Sequence, residues 1–110
     1  MDIKNWIEVG TGIQTAETAF RKEVKTPFIV FTDKSEVSGH DTKNCIATHD
    51  LIVEYYNRTV NEEDEKKIEG LLNMAGMEYT EERVWIDEEK VFMTTYETVF
   101  KEKIRDRKGA

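Results

Sequence analysis

Hydrophobic positions fall in bursts whose spacing changes along the chain. Ile3, Trp6 and Ile7 recur at helical intervals behind Asp2, a side chain suited to capping a first turn, and Gly10 and Gly12 follow as stops. Residues 13–20 alternate weakly, which predicts a weak strand. Pro27-Phe28-Ile29-Val30-Phe31 is apolar at every position, as in a strand covered on both faces, or on one face with a subunit partner on the other. The proline stands at the strand's start, where a missing N–H costs least.

Residues 33–44 are polar and contain the turn-like Gly39-His40-Asp41. They predict a long connecting loop, of the kind that tends to carry function. The next strand, 46–56, sets Ala47, His49, Leu51, Val53 and Tyr55 on one face and Ile46, Thr48, Asp50, Ile52, Glu54 and Tyr56 on the other. The first face is expected in the core. Asn61 then caps a helix over 61–75, with Glu62 and Glu63 in its first turn, where negative charge meets the positive helix end. Glu62–Lys66 and Glu63–Lys67 stand four apart with the acid first. Ile68, Leu71, Leu72 and Ala75 form the expected buried stripe, and Gly76 ends the helix. Strands follow at 80–86 and 91–100, joined by Asp87-Glu88-Glu89-Lys90.

This order predicts an α+β fold: a single, mostly antiparallel sheet of four to five strands, with a short N-terminal helix and one main amphipathic helix packed on it. The 110 residues suffice for one domain. Within it, 1–24 hold the N-terminal helix and weak strand, 25–100 the core, and 101–110 a basic tail that can be disordered. The last strand alternates Phe92, Thr94, Tyr96, Thr98 and Phe100 with Val91, Met93, Thr95, Glu97 and Val99, and neither set is plainly polar. A one-helix domain cannot cover both faces of such a strand, so self-association is expected.

Composition narrows the classes. Hydrophobic residues make up 38% and charged ones 35%, a polar balance whose periodic bursts still argue against disorder. No run approaches the ~18 apolar residues of a membrane span, and no leader-like pattern opens the chain. The single cysteine, Cys45, excludes an internal disulfide and suits a reducing cytoplasm. The last ten residues carry five cations against two acids, so the other hundred must carry −10 to reach the total of −7. An acidic body repels phosphates, and no specific nucleic-acid binding is expected.

Candidate chemistry is thin. His40, Cys45 and His49 have spacings of five and four, which match no familiar zinc signature. Cys45 with His49 lacks an oxyanion loop and an orienting partner. The six glycines are scattered and form no phosphate loop. The acids at 81–82 and 87–89 read as a solvated hairpin. Trp6, Trp85, Tyr55, Tyr56 and Tyr96 lack the interleaved cations of a base-stacking surface and read as core or interface. No catalytic, cofactor-binding or metal residue is assigned, and enzyme activity is not expected.

Four segments carry a family resemblance: Lys25-Thr26-Pro27-Phe28-Ile29-Val30-Phe31, Asp50-Leu51-Ile52-Val53-Glu54-Tyr55-Tyr56, the helix at 61–72, and Glu89-Lys90-Val91-Phe92-Met93-Thr94-Thr95-Tyr96-Glu97. In this order they resemble a family of small proteins encoded in the structural modules of bacteriophages and prophages of Gram-positive bacteria. That family is similar in turn to the tail-terminator and tail-completion proteins of long-tailed phages. Phe31 stands where the family often has Tyr, and Tyr56 where Thr or Ser is usual. The resemblance implies a head–tail joining subunit that self-associates in a ring, typically hexameric, at the end of the tail tube. It would be a virion component assembled in the bacterial cytoplasm. Its partners would be itself and other tail or head-connector proteins, with no cofactor and no membrane. Tyr56, Trp85, Phe92 and Tyr96 are the expected interface residues, with the loop residues Ser38, Gly39, His40, Asp41 and Thr42 as a second contact. The alternative is a small bacterial binding or regulatory module that dimerises through its sheet.

Overall fold

The computed structural model describes residues 2–39 and 45–104. They fold as α1 (Ile3–Thr11), β1 (Thr15–Glu17), β2 (Phe28–Ser38), β3 (Cys45–Asn57), α2 (Glu62–Met74), β4 (Tyr79–Ile86) and β5 (Val91–Ile104). The class is α+β, as the pattern predicted. One five-stranded sheet runs in the order β1-β2-β3-β5-β4, with β1 parallel to β2 and every other pair antiparallel.

Both helices begin on side-chain caps. The Asn5 N–H donates to the Asp2 carboxylate at 3.1 Å, and the Asp64 N–H donates to the Asn61 side-chain oxygen at 3.1 Å. Gly12 and Gly76 leave the helices at φ 73° and 72°, a left-handed turn that side chains resist. At Gly10 the helices nearly touch. A Cβ there would lie 2.5 Å from Leu71 Cδ1, so the glycine is what lets α1 approach α2.

The core is built from one face of the sheet. Ile29 and Phe31 of β2, Leu51, Val53 and Tyr55 of β3, and Tyr96 of β5 cluster with Ile3, Ile7, Ile68 and Leu72 of the helices. The face expected inward on β3 is the buried one. On α2 the stripe is narrower than predicted. Ile68 and Leu72 are buried, Leu71 is half-buried, and Ala75, past the last helical turn, is exposed. Asp64 and Glu65 are buried in their place.

Three boundaries differ from the sequence reading. Only Thr15–Glu17 of the weak 13–20 stretch is strand. β2 continues through Ser38, paired residue for residue with β3, so 33–38 is strand and not loop. β5 continues to Ile104, which puts Lys101 and Lys103 in the sheet and not in a tail. The common cause is that ladder hydrogen bonds are made by the backbone, which hydrophobic patterning does not report. Thirteen residues of helix span ~20 Å and thirteen of strand ~43 Å. The sheet therefore outruns α2, within a molecule of 50 × 28 × 23 Å.

Candidate interaction surfaces

Two charged clusters lie on the helix-bearing face. Under α2, Glu65 is 4% exposed and receives Arg83 through both Nε, at 3.0 Å, and Nη2. Thr94 Oγ1 also donates to it at 2.6 Å. Burial pushes the Glu65 carboxyl up, but the Arg83 and Thr94 hydrogen bonds outweigh this and hold it below the usual carboxylate value. The Tyr55 hydroxyl donates to Asp64 at 2.6 Å and accepts from Asn57 Nδ2 at 2.9 Å, and the Tyr96 hydroxyl donates to Glu69 at 3.1 Å. Burial raises both phenols, and the neighbouring acids add to the rise. These bonds bind α2 to β3, β4 and β5.

The second cluster sits where the sheet outruns the helix. His49, 8% exposed, has Nδ1 at 2.9 and 3.0 Å from the two Asp33 oxygens and Nε2 at 3.0 Å from Glu102. Its ring stacks on Phe100, centroids 4.6 Å apart. A neutral imidazole donates from one nitrogen only, so two flanking carboxylates call for the doubly protonated cation. Burial pulls the His49 pKa down, but the hydrogen bonds and charges of Asp33 and Glu102 outweigh it and raise the value above 6.5. The same bond to His49 leads the lowering at Glu102. Both ring nitrogens are taken, so this histidine offers no base for Cys45.

The expected interface residues divide. Trp85 and Phe92 are cross-strand partners with centroids 4.8 Å apart, and Trp85 stays 47% exposed, its Nε1 donating to Asp87 at 3.3 Å. Tyr56 lies on the opposite face of the sheet, stacked on Phe28 at 4.9 Å, with its hydroxyl donating to Glu54 at 3.2 Å. Burial and the Glu54 charge push that phenol up to about 12. Tyr96 is a correction: it is fully buried, because the even positions of β5 face α2, and no partner could reach it. Ser38 and Gly39 are exposed beside the end of β2. His40, Asp41 and Thr42 lie outside the described residues.

The sheet extension exposes apolar side chains on both faces: Val37 at 65% and Ile104 at 37% on the helix-bearing face, Ile46 at 40% and Val99 at 60% on the other. Val37 and Ile104 follow the polar runs 33–36 and 101–103, which read as loop and tail and so hid them. Among the described residues no cluster of His, Cys, Asp and Glu is set to hold a metal ion, and no helix is long and apolar enough to cross a membrane. The acids at 81–82 and 87–89 are exposed, and Asp87 pairs with Lys90 at 2.9 Å. Compared with known proteins, the chain matches no family model and no curated protein.

Proposed function

We propose that this chain is a non-enzymatic structural subunit of a phage or prophage particle that self-associates in a ring at the end of a tail tube, as a tail-terminator or tail-completion protein does. The observation that carries the self-association is the sheet extension, which runs on past α2 and leaves apolar side chains uncovered on both faces, Val37 and Ile104 on the helix-bearing face and Ile46 and Val99 on the other. The family resemblance over residues 25–100 supplies the phage setting. The acidic balance supports a conduit role, since a body lacking clustered cations lets DNA pass without gripping it.

Light scattering with negative-stain imaging tests the reading. A closed ring at high protein concentration is the expected outcome, and Val37→Lys with Val99→Lys should shift it toward monomer. A two-fold dimer that these changes leave intact would favour the rival binding module. A chain that stays monomeric at all concentrations would defeat the self-association on which the reading stands.

A further inference from the structure

Among the described residues the sheet has two bare edges, and their backbone phases, directions and charges match each other. β1 covers β2 only at Ile29, Val30 and Phe31. After Glu17 the chain turns away at Thr18, whose φ is 66° and whose N–H makes a last bond to the Phe31 carbonyl at 2.7 Å. From Thr32 to Ser38, no strand among the described residues lies on the outer side of β2. At the other end of the sheet, β4 has β5 on one side and, among the described residues, no strand on the other. Asp33 is half-buried, and the other residues of 32–38 and all of 80–85 are exposed.

The phase of each edge follows from the printed pairings. The Ile29 N–H donates outward to the Gln14 carbonyl at 2.9 Å, and the Phe31 carbonyl accepts outward from Thr18. In a strand, N–H and C=O of one residue point the same way and alternate along the chain. The odd residues of β2 therefore aim outward: Asp33, Ser35 and Val37. Carried through the unbroken registers of β2 with β3, β3 with β5 and β5 with β4, the same alternation aims Tyr79, Glu81, Arg83 and Trp85 out of the β4 edge. Three antiparallel steps separate β2 from β4, so the two run in opposite directions. A copy displaced sideways across the sheet thus brings its β4 antiparallel to β2, with the helices of both copies on one face.

Charge selects the register. With Asp33 opposite Arg83, outward groups meet outward groups, Lys34 faces Glu82, Thr32 faces Val84 and Val37 faces Tyr79. Beyond Val84 the partner strand parts from the edge, because β1 covers Ile29, Val30 and Phe31. Sliding by two residues one way puts Glu36 against Glu82, and the other way puts Asp33 against Glu81. Like charges directly opposite are destabilising, and opposite charges and apolar pairs stabilise. The chosen register also joins the two charged clusters across the boundary, as Glu65–Arg83 of one copy and Asp33–His49–Glu102 of the next.

We propose that copies of this chain join head to tail by pairing the β2 edge at 32–37 of one with β4 at 79–84 of the next, antiparallel, with Asp33 opposite Arg83. The partner is thus a second copy, and the contact is heterologous, of the kind that closes rings or runs on as a filament. The inference rests on the self-association proposed above and specifies its contact. Three outward pairs exchanging two bonds each give about six backbone hydrogen bonds at each boundary.

Disulfide trapping tests the register. In a Cys45→Ala background, Lys34→Cys with Glu82→Cys places thiols at a non-hydrogen-bonded pair, where Cα atoms lie ~4.5 Å apart and within disulfide reach. Within one chain the two positions are three strand spacings apart sideways and four residues apart along the strand, together about 20 Å, so any bond must be intermolecular. A ladder of covalent dimers, trimers and larger species on a non-reducing gel is expected. Lys34→Cys with Thr80→Cys, two residues out of register, should trap at least tenfold less. In light scattering, Glu82→Lys alone should weaken association at least tenfold, and adding Lys34→Glu should restore it. Equal trapping by both cysteine pairs, or oligomers that form untrapped and indifferent to Glu82→Lys, would overturn this contact while leaving self-association standing. A monomer at every concentration would overturn both.

Discussion

The two ends of the sheet are held by different means. At the helix-bearing end, Ile68 and Leu72 of α2 press on Val53, Tyr55 and Tyr96, and the charges beneath the helix are each matched by a partner of fixed geometry. At the extension, three strands carry on beyond the helix, and their most buried polar group is an imidazole between two acids. Apolar burial therefore dominates the first end, whereas the second relies on ladder bonds and on a charge that titrates near neutral pH. The second end also exposes its edge and its apolar side chains. A fold arranged this way keeps its body rigid and makes the extension the end that is easier to rearrange.

Cutting into the helix-bearing core should have the largest effect. Leu72→Ala removes a side chain that is 1% exposed and should cost on the order of 2–5 kcal/mol in urea unfolding. Leu71→Ala, at a half-buried site against Gly10, should cost less, on the order of 1 kcal/mol. Equal costs for the two would mean that the inward face of α2 has been misjudged. Next in size is Arg83→Ala, which leaves the buried Glu65 carboxylate with Thr94 as its main support. A buried charge stripped of its partner costs on the order of 3 kcal/mol. Arg83→Lys should recover only part of the loss, because the bidentate fork is gone. If Arg83→Ala unfolds at the wild-type urea concentration, the clamp from α2 to β4 contributes nothing.

The helix-bearing end was the more legible one. Asn61, the stripe at Ile68 and Leu72, and Gly76 each signal through local periodicity or capping, and α2 lies one residue inside the predicted 61–75 at its start. Glu65 was not legible. A glutamate in a first helical turn reads as solvated, and its burial depends on Arg83 arriving from a strand eighteen residues away. The same holds for the extension. Lys34, Ser35 and Glu36 read as loop because their side chains face water, while their backbones pair with β3. His49 stood on the correct face, but its two acids come from different strands, one of them 53 residues distant. Tyr96 was misjudged for a related reason. An aromatic on a strand that is apolar on both faces gives no sign of which face the helix will cover.

The smallest effect should come from the extension itself, and pH should expose it. His49 has its pKa raised above 6.5 in the folded chain, so the folded state holds its proton more tightly than the unfolded one. Its contribution is then complete below about pH 6.5 and is lost as pH rises through the folded value. Glu102 runs the opposite way. Its lowered pKa adds stability above about 4.5 that is lost as pH falls through its folded value. Between these limits His49 and Glu102 are both charged and the extension is firmest. His49→Gln keeps a donor but removes the charge, and should cost on the order of 1 kcal/mol near neutral pH. In urea unfolding from pH 6 to 9, wild type should lose stability relative to this variant, and the two curves should converge at the alkaline end. Hydrogen exchange should place the same change in Cys45–Asn57 and the strand residues beside it, and not in α2. Curves that stay parallel across that range would mean that His49 is neutral in the fold, with one acid already protonated in its place, and the contrast between the two ends would lose its electrostatic half.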